Sequence, residues 1–471
     1  MKTIKIALLI LAFGWLFQSC EKDDPKPPVE EKLTTTQKVN IFIKEAMSDI
    51  YLWADKLPDI DEKAEKDSKA YFEKLLYVDD KWSFITDDVQ ALENSFEGVE
   101  KSYGWSLAFG RFSNTNNIFA LVEYVYPNTP AAEAGMTRGD IIVMLDNDDI
   151  TDDNYRDLLN KETLSIKLGI LGEGGIALGR QVNMTARELN LNPVVFTKII
   201  EHAGHKIGYL FYAQYIANYN TSLDTAIQHF MDEQVTDLVL DLRYNPGGGT
   251  NAARHLCSSL APADVVDNER TLVTFRWNEK YQNYWESKSV NQQLKISFDP
   301  NVAHKMGLHN LYVLTGRGTA SASELTITGL KPYMNLTTIG ETTYGKYTAS
   351  ITLKPKDIYD NKLYYKEFSN WGIQPIVLRY ANSQGVTDFK DGFTPDIEVE
   401  DELFDAIPLG NKEEQLLKVA LKEITGVEVV SMAMKSAVQK PDYYIFDRGF
   451  SKFDSNKREV LLDNLENKIV K

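Results

Sequence analysis

Ser321 and Lys346, which stand 346 − 321 = 25 positions apart, are the residues of this chain best suited to covalent chemistry. Ser321 sits in Gly316-Arg-Gly-Thr-Ala-Ser-Ala-Ser-Glu324, between the apolar runs Leu311-Tyr-Val-Leu314 and Leu325-Thr-Ile-Thr-Gly-Leu330. That pattern predicts a buried strand turning into a helix with the serine at the junction. The first amides of a helix have no internal acceptors and carry partial positive charge, so they can stabilise a developing oxyanion. Helix capping by Ser321 and Ser323, with Glu324 in the first turn, is the alternative use of the same residues. Lys346 closes Tyr344-Gly-Lys346 behind another apolar run, Leu336 to Ile339. Burial favours a neutral amine, which can take a proton from a serine, and serine-lysine pairs are a variant of the triad logic.

Competing chemistries find less support. His202, His205, His229, His255, His304 and His309 stand in no triad motif, and neither His-Glu-x-x-His nor paired cysteines suggest a metal. Cys257 reads as a small buried apolar residue, with a cysteine nucleophile the weaker alternative. The strand-like run Thr236 to Arg243 leads into Tyr244-Asn-Pro-Gly-Gly-Gly249, whose glycines allow close backbone approach but lack phosphate-binding spacing.

Thr319-Ala-Ser-Ala-Ser-Glu324 and Gly340-Glu-Thr-Thr-Tyr-Gly-Lys346, at this separation, resemble the two motifs of the C-terminal processing, or tail-specific, serine peptidases. The resemblance covers roughly residues 39 to 425 and includes Asp391-Gly-Phe-Thr-Pro-Asp396 near the end of the domain. It implies Ser321 as nucleophile, Lys346 as its general base, and an oxyanion hole from Gly247, Gly248 and Ala322. Two departures stand out: Ser350 occupies the place of the glutamine that orients the lysine in the family, and Pro332 stands where some relatives have aspartate. Ser350 is thus the candidate orienter, and no metal or cofactor is implied.

The elements that must position these residues can be read off in chain order. Residues 1–19 read as a signal peptide, with Lys2 and Lys5 ahead of an apolar run too short to span a membrane. Leu16-Phe-Gln-Ser-Cys20 resembles a lipoprotein processing site, which makes Cys20 the lipidated residue and 20–37 a tether. The expected location is the cell envelope, attached to the outer membrane through the lipid; Lys22-Asp-Asp24 resembles signals that carry lipoproteins to the outer surface. A helical pattern, Ile43, Met47, Ile50, Tyr51, marks 38–95 as a small N-terminal domain. Residues 96–190 resemble a PDZ domain, with Tyr103, Gly104, Trp105, Ser106 and Leu107 as its peptide-binding loop and strand. The peptidase core is expected over 191–425, with 426–471 as an appendage or tail.

The fold class expected is multidomain α/β: a helical N-terminal domain, a β-rich PDZ-like domain and a core of the ClpP/crotonase-like type with a largely parallel sheet. A formal charge of −17, or −19 without Lys2 and Lys5, disfavours nucleic acid as a partner. Polypeptide substrates, and the membrane through Cys20, are the partners implied. The function expected is a serine endopeptidase acting on unfolded or C-terminally recognised proteins outside the cytoplasm. The alternative is a peptide-binding surface lipoprotein with little or no catalysis, and retinoid-binding relatives of the fold raise a third reading, an apolar ligand.

Overall fold

The computed structural model describes residues 33–113, 117–172, 175–430, 441–449 and 460–461. The expected signal peptide and Cys20 lie outside the described residues. Among the described residues no helix is long and apolar enough to cross a membrane.

The first helix, Thr35–Ile50, begins three positions before residue 38, where the sequence pattern placed the start of helical structure. Its Val39, Phe42, Ile43, Ala46, Met47 and Ile50 recur at one-face spacing and are buried. The second, Ser68–Leu75, starts at Asp67, whose carboxylate accepts the Lys69 and Ala70 amides. Both join the apolar cluster that also contains Leu210, Leu240, Leu256 and Leu311. The helical segment therefore has no separate core; it completes the core of the segment that carries the serine.

That core is built on a six-stranded sheet in the order Val194–His202, His205–Tyr212, Asp237–Asp241, Asn310–Thr315, Asn335–Gly340, Ile397–Glu398. The first pair is an antiparallel hairpin and every later pair is parallel. A parallel sheet is covered on both faces, so its strands read as continuous apolar runs. Leu238, Leu240 and Val313 face one cluster, while Val239, Leu314 and Ile339 face another shared with the helix Gln415–Thr425.

The PDZ-like part has its own core, including Trp105, Leu107, Phe109, Ile142, Ile166 and Val182. Its sheet runs Tyr443–Gly449, Trp105–Phe112, Ile118–Val125, Ile141–Leu145, Thr163–Gly172, Gly175–Thr185. The first strand corrects the reading of 426–471 as a mere appendage: residues 443–449 are the edge strand of this sheet, 330 positions or more from their partners. Alternation hides Phe119, Leu121 and Ile141 on the face opposite the main core, where Leu403, Phe404, Tyr443 and Ile445 cover them. Tyr443 and Ile445 alone are too short an apolar signal to be read as a strand, and only a distant edge gives them a place.

Candidate active site

The strand Asn310–Thr315 delivers the chain into a tight turn against the strand Asp237–Asp241 and its continuation through residues 242–244. A Cβ on Gly318 would lie 2.6 Å from the Arg243 carbonyl oxygen, so only glycine fits there. Thr319 pins the turn, its hydroxyl donating to the Leu242 carbonyl at 2.8 Å and accepting the Gly316 amide at 2.9 Å. Ser321 comes next but one, with φ 63° and ψ −112°, a left-handed conformation unfavourable for a residue with a Cβ. Such strain costs on the order of 1–3 kcal/mol and persists only when its surroundings over-determine it. The helix Ala322–Leu330 starts at once, buried along its whole length. Ser321 itself is fully buried, and its Oγ has no hydrogen-bond partner among the described residues. The amide of Ala322, at the first helical position, has no acceptor within the helix.

Glu324 is the residue that the sequence reading undervalued. Its carboxylate accepts the Ser321 amide (2.8 Å), the Thr343 hydroxyl (2.6 Å), the Gly345 amide (2.6 Å) and the Lys346 amide (2.8 Å). One buried carboxylate thereby ties the serine turn to the lysine loop. Burial pushes its pKa up, against these hydrogen bonds, Thr343 foremost, which pull it down. Tyr380 adds a second clamp: its hydroxyl reaches the carbonyls of Ser321 (3.1 Å) and Lys346 (2.9 Å). Lys346 is fully buried. A capping role for Glu324 was legible in its position three residues after Ser321; Tyr380, 59 positions from the serine, left no local signal.

The glycine turn is fastened to the same centre by Asn245. Its carbonyl accepts the Ala320 amide (3.1 Å) and the Ser323 hydroxyl (3.0 Å), while its side chain accepts the Gly247 amide (2.9 Å). The Gly247 amide is thus already engaged within the turn. Gly248 has φ 136°, and a Cβ there would lie 2.2 Å from the Tyr215 carbonyl oxygen. Ser350, in the strand Thr348–Ser350, donates to Gln374 Oε1 at 2.9 Å, and Gln374 is itself fully buried and donates to Thr352. A glutamine therefore stands beside this position after all, supplied by the strand Gly372–Gln374.

The expected peptide-binding residues lie together at the start of the strand Trp105–Phe112. Gly104 takes φ 78° with its carbonyl accepting the Tyr126 amide at 2.8 Å, and Ser106 donates to Glu123 at 2.7 Å. Tyr103, Trp105 and Leu107 are core residues. Cys257 is buried and its thiol is pushed up to about 12 by burial, which leaves it protonated and unreactive. His255 pairs with Asp224 at 2.8 Å and His205 with Asp237 at 3.3 Å, neither with a serine.

Comparison with known proteins agrees with this layout. Residues 206–399 match the profile of Peptidase family S41, 38–84 that of the Peptidase S41 N-terminal domain, and 121–168 that of a PDZ domain. A carboxyl-terminal-processing protease of Synechocystis sp. is 27% identical over 314 residues, covering 66% of this chain and 65% of the relative. The chloroplastic C-terminal processing peptidase of Tetradesmus obliquus is 27% identical over 294 residues, covering 59% of this chain and 56% of its own length. The match thus spans less than two thirds of either relative. A crystal structure of a Bacteroides fragilis protein assigned to the S41 proteases is 29% identical, with a TM-score of 0.67, covering 82% of this chain and 97% of that one.

Proposed function

Because the chain belongs to peptidase family S41, with the N-terminal and PDZ domains that go with it, we propose that it is a serine endopeptidase working through a Ser321–Lys346 dyad on extended polypeptides. The observation that carries this reading is the pairing of the serine turn and the lysine loop through Glu324. Ser321 and Glu324 also form a capping box at the start of the helix Ala322–Leu330, but a cap alone does not call for the positive φ that Ser321 holds at full burial.

The steps are those of acyl transfer. The neutral amine of Lys346 takes the proton of Ser321 Oγ as that oxygen attacks a peptide carbonyl. The Ala322 amide, made partly positive by its place at the helix start, and the Gly248 amide hold the tetrahedral oxyanion, the Gly247 and Gly249 amides being engaged by Asn245 and Tyr215. When the C–N bond breaks, Lys346 returns the proton to the leaving amine. Water then hydrolyses the ester on Ser321, with Lys346 again as base. Burial of both groups serves the mechanism by strengthening the oxyanion contacts. Measuring cleavage of an unfolded protein by wild type, Ser321→Ala and Lys346→Ala tests the dyad; activity surviving in Ser321→Ala would sink it.

The proposed location is the cell envelope, with the mature chain anchored through acyl groups on Cys20. The short apolar leader, the small residue before Cys20 and the charged tether support it. Cys20→Ser should release the protein from the membrane fraction; retention there would refute the anchor.

A further inference from the structure

The stretches Tyr443–Gly449 and Val460–Leu461 come after the core in sequence, yet both enter places where a peptide substrate would pair. Tyr443–Gly449 adds antiparallel to Trp105–Phe112, with Tyr443 opposite Phe112 and Gly449 opposite Leu107. This is strand addition to an open sheet edge, the way an extended peptide docks. Without it, the strand that begins after the Tyr103–Gly104 loop would be the bare edge of the sheet.

The docking is specific in its side chains. Asp447 accepts from Arg156 at 2.9 Å and from the Tyr155 hydroxyl at 3.1 Å, with its carboxylate side chain 7% exposed. Arg448 pairs with Glu123, whose side chain is 3% exposed, and also feels Asp401 and Glu341. Phe446 packs against Tyr155 at 5.5 Å and under the Arg111 guanidinium at 5.3 Å, and Tyr443 packs on Phe404 at 4.7 Å. Breaking one partner out of a buried pair is costly, so these contacts select their occupant.

Val460–Leu461 carries the independent observation. Val460 and Leu461 pair in parallel with Gly248 and Gly249 of the glycine turn, and Leu461 pairs with Ser350 on the strand that begins two residues after Lys346. In sheet order the dipeptide lies between Gly248–Gly249 and Thr348–Ser350. Those two flanking segments are therefore one strand too far apart to pair with each other. With neighbouring strands about 4.8 Å apart, the slot between them is roughly 9–10 Å wide, the room one extended backbone needs.

We infer that Tyr443–Gly449 and Val460–Leu461 are an intramolecular ligand, filling the PDZ edge and the slot beside the glycine turn, so that the resting protein is occupied by its own chain. The edge then takes an internal stretch of extended peptide with an acidic-basic pair matched to Arg156 and Glu123, because residues continue past Gly449 rather than ending at the Tyr103–Gly104 loop. A competing polypeptide must displace this segment. A tethered ligand acts at an effective concentration on the order of millimolar, and a free ligand's apparent affinity falls in proportion to the unoccupied fraction. The inhibitory consequence rests on the peptidase reading; the occupancy itself does not.

Two measurements test it without turnover, in the Ser321→Ala full chain. First, a fluorescent peptide with the sequence of residues 442–461 is titrated into that protein and into the same protein carrying Asp447→Ala and Arg448→Ala. At least a tenfold gain in affinity in the substituted protein is expected; equal or weaker binding would overturn the inference. Second, amide hydrogen exchange is followed in the protein without those two changes, which needs no folding of a variant. Tyr443–Gly449 should exchange at least tenfold faster than Ile118–Val125, as a displaceable strand does, and equal rates would mark it as a fixed part of the sheet. With Ser321 restored, the doubly substituted enzyme should cleave an unfolded protein at least threefold faster. If the peptide and exchange results hold while no variant cleaves, the peptidase reading has failed and the occupancy stands.

Discussion

Glu324 ties the serine turn to the lysine loop. Four hydrogen bonds converge on its two oxygens from both the serine turn and the lysine loop. Replacing it by glutamine sets an NH₂ group against donors, leaving at least one buried amide or hydroxyl unsatisfied. A displacement of about 1 Å between nucleophile and base can cost roughly a hundredfold. Glu324→Gln should therefore lower kcat about 10- to 100-fold while leaving KM within about twofold. A proportionate rise in KM, or a change in both only as large as the loss of folded protein, would mean that Glu324 is merely structural. Ser321 and Lys346 stood out in the sequence as candidates because each lies in a short local string. The clamps were not: Tyr380 and Asn245 act through carbonyl groups brought close by the sheet, and carbonyls carry no residue-specific signal.

At the scale of elements, the periodic segments were the legible ones. The helical spacing of Ile43, Met47 and Ile50 and the apolar run Leu311–Leu314 emerge as the helix Thr35–Ile50 and the strand Asn310–Thr315. The strand-turn-helix at Ser321 was legible for the same reason, but the left-handed φ of the serine was not, because no residue preference announces it. What the sequence could not reveal is which elements share a core. The N-terminal helices pack into the cluster of the serine-bearing segment, whereas the PDZ-like sheet buries a cluster of its own. Nor does alternation over seven residues identify Tyr443–Gly449 as a strand, since edge pairing is decided by a partner more than 300 positions away. The same pairing places residues 443–449 on the edge of the PDZ-like sheet beside Trp105–Phe112.

For the whole molecule, a buried charge network ties the PDZ-like part to the core. Arg243, fully buried, meets Asp241 (2.9 Å), Asp401 (3.1 Å) and Glu414 (2.6 Å), and Arg138 of the PDZ-like part reaches Asp401 at 2.6 Å. Burial alone would raise Asp401, but Arg138 and Arg243 outweigh it and hold its carboxyl well below the usual range; Arg243 does the same for Glu414. A carboxyl with a lower pKa folded than unfolded adds stability that is complete above its unfolded value, about 3.9 for aspartate, and is lost as the pH falls further. The stability that Asp401 and Glu414 supply should thus hold down to about pH 5 and be lost below about pH 4, against Asp241 and Glu324, whose raised carboxyls favour the folded state as they protonate. Asp401→Asn should flatten that acid limb and cost about 3–5 kcal/mol at neutral pH by stranding the arginines. A melting curve of Asp401→Asn that tracks the wild type at every pH would refute this role.

The dyad is tested most directly by the rates at which the wild type, Ser321→Ala and Lys346→Ala cleave an unfolded protein, each checked for folding by its melting temperature. A serine-lysine dyad predicts cleavage by wild type and its loss, by about a thousandfold or more, in both folded variants. Cleavage that persists in either variant, or wild type that cuts none of several unfolded proteins while peptides still bind to Trp105–Phe112, would contradict it.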